Sequence, residues 1–446
     1  MGAAKSAPVQ RGALDRYFKL QENGTTVRKE LLAGLTTFLA LAYIVPTNSG
    51  ILGDAGMPRD AVVIATCVSA FFATLVMGLY ANFPFALAPG MGLNAYLAYT
   101  VVGRMGVPWQ TALGAVFLSG VLFLLLSVST LRERMINAVP LPLKHAIAAG
   151  IGLFLAFIGL MNAGIVVANP ATLVAMGDFG TRSTLLATIG LFITVALLVR
   201  RVRGAILLGI IVTTVIGIPL GVTTAPERLL SWPSLSTWAP VLGQLDIGGA
   251  LNLGITTVIF ALFFFDLFDS AGTFIGLADK AGYLDEQGNL PRVGKAFVSD
   301  SIGTMAGAVF GTSTVTTFME SSAGMAEGGR TGLTAVTVAA LFLLAPFFTP
   351  VIAIIPAAAT APALILVGVM MVTSLGKIPW DDIRVAIPGF LGMIVMPLTS
   401  SIANGIYASI IAYSFITVVT GKAREAGLII HLLAALFIVK FILVGE

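Results

Sequence analysis

The sequence predicts an all-α polytopic membrane protein. Fourteen transmembrane segments form two seven-segment repeats of inverted topology, with the third and tenth broken into half-helices that carry short extended strands. Composition points to the membrane, the placement of lysine and arginine to the segment count, and a weak internal echo to the repeat. Of 446 residues, 57% are hydrophobic and 10% charged, and the mean hydropathy is +0.98. Soluble domains carry about 25% charged residues. With 25 Lys and Arg and 21 Asp and Glu, this chain cannot cover a water-facing surface of its size, so lipid covers most of the outside. Two histidines, His145 and His431, and one cysteine, Cys67, cannot supply the ligand sets of zinc, haem or iron–sulfur chemistry, so no cofactor and no metal is expected. One cysteine also excludes an internal disulfide. A net charge of +4 without a dense basic face predicts no nucleic-acid partner. The first 30 residues are polar and lack the h-region of a removable signal.

A bilayer core takes roughly 20 apolar residues per helix. Between charges and Pro/Gly breaks, candidate segments fall at 31–53, 61–80, 84–102, 110–131, 143–163, 183–199 and 204–222, then at 251–278, 296–310, 314–327, 331–355, 360–375, 385–400 and 402–420. Residues 1–30 precede them as a cytoplasmic N-terminal segment. A further apolar run, 427–443 within 427–446, holds His431 and Lys440 and is read as interfacial or membrane-embedded. Cytoplasmic loops hold the excess of lysine and arginine. Fourteen segments with a cytoplasmic N-terminus put 20 basic residues inside, from Lys5 to Arg424, and only Arg59, Arg104, Arg182 and Arg228 outside, Lys440 being unassigned. Both termini are then cytoplasmic and the location is the plasma (inner) membrane.

The repeat shows in Gly34-Leu-Thr-Thr37 and Gly254-Ile-Thr-Thr257, 220 residues apart. The third segment is interrupted by Pro84, Pro89, Gly90 and Gly92, and the tenth by Gly311 and the polar run Thr312-Ser-Thr-Val-Thr-Thr317. Asn94 and Glu320, one in each, are 226 apart. Seven segments per half is odd, which inverts the second half. Non-helical backbone at membrane depth must satisfy its polar groups within protein or in a wet cavity, and paired breaks in inverted halves mark a transporter's binding site. Half-helix N-termini there would offer unpaired N–H groups to a carbonyl-bearing ligand.

Asp266 and Asp269 lie mid-way along the eighth segment, in Phe263-Phe-Phe-Asp-Leu-Phe-Asp-Ser-Ala-Gly-Thr273. At 100° per residue, Asp266, Asp269, Ser270 and Thr273 share one face while Phe264, Phe265 and Phe268 mostly point elsewhere. Intramembrane acids cost about 2.5–3.5 kcal/mol each by insertion scales and are functional by default, packing being the alternative. Glu320 stands where the tenth segment turns helical. Capping is the ordinary role of such an acid, but here the break lies inside the membrane. Carboxyl groups removed from water exchange protons nearer neutral pH, so Asp266, Asp269 and Glu320 are candidates for ligand binding and for proton coupling. Asn94 can donate and accept, or tie helices together. Phe318 and Tyr96 can stack on a flat ring, and Thr273, Thr317 and Ser321 add hydroxyls beside the acids. Thr47, Asn48, Asn162, Ser400, Ser401 and Asn404 read as helix–helix contacts, and Cys67, Met370 and Met371 as core.

Four stretches, Gly34-Leu-Thr-Thr-Phe-Leu-Ala-Leu-Ala-Tyr-Ile44, Ala88-Pro-Gly-Met-Gly-Leu-Asn-Ala95, Asp266-Leu-Phe-Asp-Ser-Ala-Gly-Thr273 and Gly311-Thr-Ser-Thr-Val-Thr-Thr-Phe-Met-Glu-Ser321, resemble the AzgA-type purine permeases of the nucleobase–ascorbate transporter superfamily. The resemblance spans essentially the whole chain. It implies a core (transport) domain of 31–131 and 251–355 and a gate domain of 143–222 and 360–420, with alternating access. It also implies proton-coupled uptake of adenine, guanine or hypoxanthine, and a homodimer as a common arrangement. The family's paired acids of the eighth segment fall on Asp269 and Asp266, its glutamate on Glu320 and its asparagine on Asn94. A flat, neutral, N–H-rich base suits carboxylate acceptors and aromatic faces, and a ring carbonyl for the half-helix N–H groups favours guanine or hypoxanthine over adenine.

Two other classes fit less well. An anion or other small-solute transporter or channel on the same inverted-repeat architecture would need a cationic or neutral cradle where this centre offers acids. An intramembrane aspartyl protease would need cooperating aspartates on different segments, whereas Asp266 and Asp269 share one. A scaffold without transport leaves the interior acids without a role.

Overall fold

A computed structural model describes residues 13–129, 140–251, 253–283, 290–399 and 401–443. Lys5, Arg11, Arg132, Arg134 and Ser400 lie outside the described residues, as do the side chains of Thr256, Thr257, Phe268, Lys280 and Lys440. Eight helices among those described are long and apolar enough to cross a membrane, and three shorter apolar ones accompany them. The first segment is two helices, α1 (Val27–Leu41) and α2 (Ile44–Asp54), and α3 (Arg59–Val76) is the second. The third comprises β1 (Leu87–Pro89), the half-helix α4 (Met91–Ala95) and a π-helical stretch, Tyr96–Arg104. Next come α5 (Trp109–Val128), α6 (Leu141–Asn162), the hairpin β2 (Val166–Asn169) and β3 (Leu173–Met176), α7 (Arg182–Val199) and α8 (Ala205–Gly217).

The second half contains α9 (Leu253–Ala281), α10 (Val293–Phe310), β4 (Val315–Thr317) and the half-helix α11 (Ser321–Ala326). It continues through α12 (Gly332–Leu344), α13 (Ala357–Val372), α14 (Ile383–Thr399), α15 (Ile402–Val419) and α16 (Ala423–Leu443), the last interrupted at Gly427, where φ is 74°. Most helix ends fall within a few residues of the expected segments, the eleventh ending its long helix at Leu344 with shorter helical turns on to Ala353, and α16 lies on the terminal apolar run. Helix α10 packs on α5 and α3, and α12 on α1 and α3. A second set forms around α6, which packs on α13 and α14, with α7 on α8 and α15 on α16.

The breaks hold the middle of the molecule together. β1 and β4 pair antiparallel, with Ala88 opposite Thr316, so the half-helices that follow them leave this two-stranded ribbon in opposite directions. Backbone satisfaction explains the arrangement. The Gly90 N–H donates to the Thr314 carbonyl at 2.9 Å and the Phe318 N–H to the Ala86 carbonyl at 3.0 Å. The Thr74 hydroxyl accepts from the Leu87 N–H and donates to the Leu87 carbonyl, both at 2.9 Å. The Ser321 hydroxyl accepts from the Ala86 N–H at 2.9 Å. Close approach of the ribbon requires a glycine at Gly307, where a Cβ would stand 2.5 Å from the Ser313 carbonyl oxygen. Cys67 is buried as expected; Met370, expected in the core, is 45% exposed on the outer face of α13.

Candidate functional site

The ribbon carries both breaks past the middle of α9, so residues far apart in sequence meet there. Asn94 is fully buried. Its amide donates to Asn48 Oδ1 at 2.5 Å and its oxygen accepts from the Ser313 hydroxyl. Asn48 in turn donates to Thr66 Oγ1 at 2.7 Å and Thr312 Oγ1 at 2.9 Å. This network ties the first, second, third and tenth segments through Asn94. Thr317 and Ser321 are engaged in the same way, Thr317 donating to Asp300 Oδ1 at 3.0 Å and Ser321 holding the Ala86 N–H.

The two aspartates of α9 face different neighbours. Asp266 is 1% exposed and accepts from Thr304 Oγ1 at 2.8 Å, while its Oδ1 has no partner among the described residues. Its charge interacts with Asp300 of α10. Asp300 is fully buried and accepts from the Ser270 and Thr317 hydroxyls. In the sequence Asp300 stands inside the short apolar segment 296–310, apart from the motif acids. A carboxylate among Ser299, Ser301, Gly303 and Thr304 was the available signal, since small and hydroxyl residues around an acid leave room for hydrogen bonds.

Asp269 and Glu320 are only half-buried, and their charges lie close enough to interact. No hydrogen bond reaches the Asp269 carboxylate among the described residues. Glu320 accepts from the Tyr43 hydroxyl at 2.6 Å and makes no side-chain cap on α11, so capping does not explain it. Met319 lies 3.3 Å from where a Cβ on Gly276 would stand, which seats the Met319–Glu320 turn against α9. One turn from Asp269, a Cβ on Gly272 would meet no atom of the described residues within 4 Å. The helix surface is thus open at Gly272, one turn from Asp269, while Thr273 and Phe318 are mostly buried.

One expectation fails at this point. The first N–H groups of α11, on Ser321, Ser322 and Ala323, donate to the carbonyls of Phe318, Met319 and Glu320 at 2.9–3.1 Å. A tight turn satisfies them, so this half-helix end offers a ligand no free N–H from these residues. The site's chemistry is that of acceptors: two carboxylates from different segments, with no lysine, arginine or histidine among their hydrogen-bond partners in the described residues.

The sequence matches the permease family Xan_ur_permease over residues 28–408. The chain belongs to that family. Relatives of this permease include adenine permease AdeQ of Escherichia coli (strain K12), 46% identical over 433 residues, 97% of each chain. Guanine/hypoxanthine permease PbuO of Bacillus subtilis (strain 168) is 43% identical over 428 residues, 95% of this chain and 99% of that one. The resemblance to purine permeases read from the four motifs is thereby borne out. Among solved structures, the transmembrane domain of a cyanobacterium bicarbonate transporter, BicA, matches with a TM-score of 0.62 over 86% of this chain and 97% of that one, at 17% identity. At such identity the likeness shows a shared fold alone. The permease is a multi-pass membrane transporter and not an enzyme.

Proposed function

We propose that the permease imports purine nucleobases by proton symport with alternating access. One observation carries the reading: Asp269 and Glu320, from two different segments, hold half-buried carboxylates within electrostatic reach of one another, on the stretch of α9 where the surface is open at Gly272. A purine edge presents N–H donors to such acceptors, and Phe318 can cover a ring face. Adenine and guanine/hypoxanthine permeases both stand among the relatives. The lactam N–H of guanine and hypoxanthine adds a ring donor that adenine lacks, and we take these as the preferred substrates. Asp266 and Asp300 then carry the proton, one layer deeper than the base.

The fourteen-segment count, both termini cytoplasmic in the plasma (inner) membrane, and the homodimer belong to the same proposal. So does the division into a core domain (31–131 and 251–355) and a gate domain (143–222 and 360–420). Packing of α10 on α3 and α5, and of α6 on α13 and α14, supports that division. An anion carrier on the same architecture is the second reading, which the acids at the centre oppose.

The test is uptake of radiolabelled hypoxanthine into proteoliposomes, competed by unlabelled bases and by sulfate, with Glu320→Ala and with a protonophore. Undiminished uptake by Glu320→Ala would remove Glu320 from the site. Indifference to the protonophore would remove proton coupling, and competition by sulfate alone would favour the anion reading.

A further inference from the structure

Tyr43 occupies the break in the first segment, between the last turn of α1 and the start of α2. Its backbone is fixed there: the Thr47 N–H at 3.2 Å and the Thr47 hydroxyl at 2.8 Å both donate to its carbonyl. Its side chain is fully buried, and a buried phenol needs a partner for its hydroxyl. The partner is Glu320 Oε1 at 2.6 Å, on the tenth segment, 277 residues away. A hydroxyl donating to a carboxylate is among the stronger hydrogen bonds and fixes orientation as well as distance. No other side chain donates to Glu320 among the described residues. Among side chains its rotation therefore rests on Tyr43, and Oε2 has no side-chain donor among the described residues. Phenylalanine would fill nearly the same volume, so packing alone does not call for the hydroxyl.

We propose that Tyr43 is a positioning residue for substrate recognition: its hydroxyl holds Glu320 Oε1 so that Oε2 meets a ring N–H of the purine. This rests on Glu320 contacting the base, as proposed above. The competing role is a strut joining the first and tenth segments, with no part in recognition.

A double-mutant cycle separates the two. Hypoxanthine binding to purified protein is measured for wild type, Tyr43→Phe, Glu320→Gln and the double variant, with thermal midpoints recorded alongside and with KM and maximal rate from proteoliposome uptake. We expect Tyr43→Phe to weaken binding about tenfold, raising KM with little change in maximal rate or thermal midpoint. Glu320→Gln weakens binding further, and the double variant binds no worse than Glu320→Gln alone, because the phenol acts only through the carboxylate. Losses that multiply, unchanged binding in Tyr43→Phe, or a midpoint that falls together with binding would each overturn the positioning role. Unchanged binding in Glu320→Gln would instead overturn the site reading on which it rests.

Discussion

Placing a carboxylate in hydrocarbon costs about 2.5–3.5 kcal/mol by insertion scales, and the permease gathers Asp266, Asp269, Asp300 and Glu320 around one crossing. Their surroundings divide the work. Asp266 and Asp300 are enclosed by the hydroxyls of Thr304, Ser270 and Thr317, whereas Asp269 and Glu320 keep accessible oxygens. Asp269→Asn is therefore expected to weaken base binding by at least about tenfold, the loss of one oriented acceptor. Asp266→Asn should bind the base nearly as wild type and fail to accumulate it against a gradient. Equilibrium binding and proteoliposome uptake, measured side by side, check the pair. Asn94→Ala should destabilise by about 1–3 kcal/mol, because Asn48 and Ser313 lose a buried partner; a thermal melt reads this out. The motif residues were legible in the sequence because acids and amides are conspicuous in an apolar chain. The roles of Tyr43, which lies inside the first motif, and of Asp300 were not, since they depend on partners contributed by other segments.

At the level of helices and strands, the breaks were legible because Pro84, Pro89 and Gly90 cannot continue a helix. The pairing of β1 with β4 was not, since neither three-residue strand has a period to read. Glu30 makes the same point. By sequence it is an ordinary acid in the first turn of α1, yet it is fully buried. It accepts from the N–H groups of Arg330 at 2.8 Å and Thr334 at 3.0 Å and from the Thr334 hydroxyl at 2.6 Å, capping α12 from another helix. Removing the carboxylate leaves those donors unpaired. Glu30→Ala should lower stability by about 1–3 kcal/mol while base affinity in the folded fraction stays unchanged. A thermal shift accompanied by altered affinity would assign Glu30 a part in the site instead.

Across the whole molecule, two of the residues that the charge count puts outside, Arg59 and Arg104, take part in bonds between segments. Arg59 pairs with Asp54 at 3.2 Å, the Tyr99 hydroxyl donates to Asp54 at 3.0 Å, and Asn162 donates to that hydroxyl at 3.1 Å. Arg104 reaches the Thr399 carbonyl at 2.5 Å. These bonds join the third segment to α6 and α14, bridging the two packing groups. A cleft beside them is lined by Ser49, Asp54, Arg59, Asn162 and Thr360, and none of the central acids borders it. Under the proposed alternating access, these ties separate. A Tyr99→Cys/Asn162→Cys pair joined by a short bifunctional, reducible thiol reagent should lose uptake and regain it on reduction; Cys67, the native thiol, is buried. Uptake unaffected by the crosslink would show that these ties do not separate during transport.

The ribbon also imposes an order on biogenesis. Ala88 finds its partner in Thr316, so a nascent chain inserted as far as the third segment holds bare peptide groups at membrane depth until more than two hundred further residues have been translated. Over that interval water, a translocon or a chaperone must shelter them. The first half supplied alone should therefore be degraded, and co-expression of the second half should rescue it.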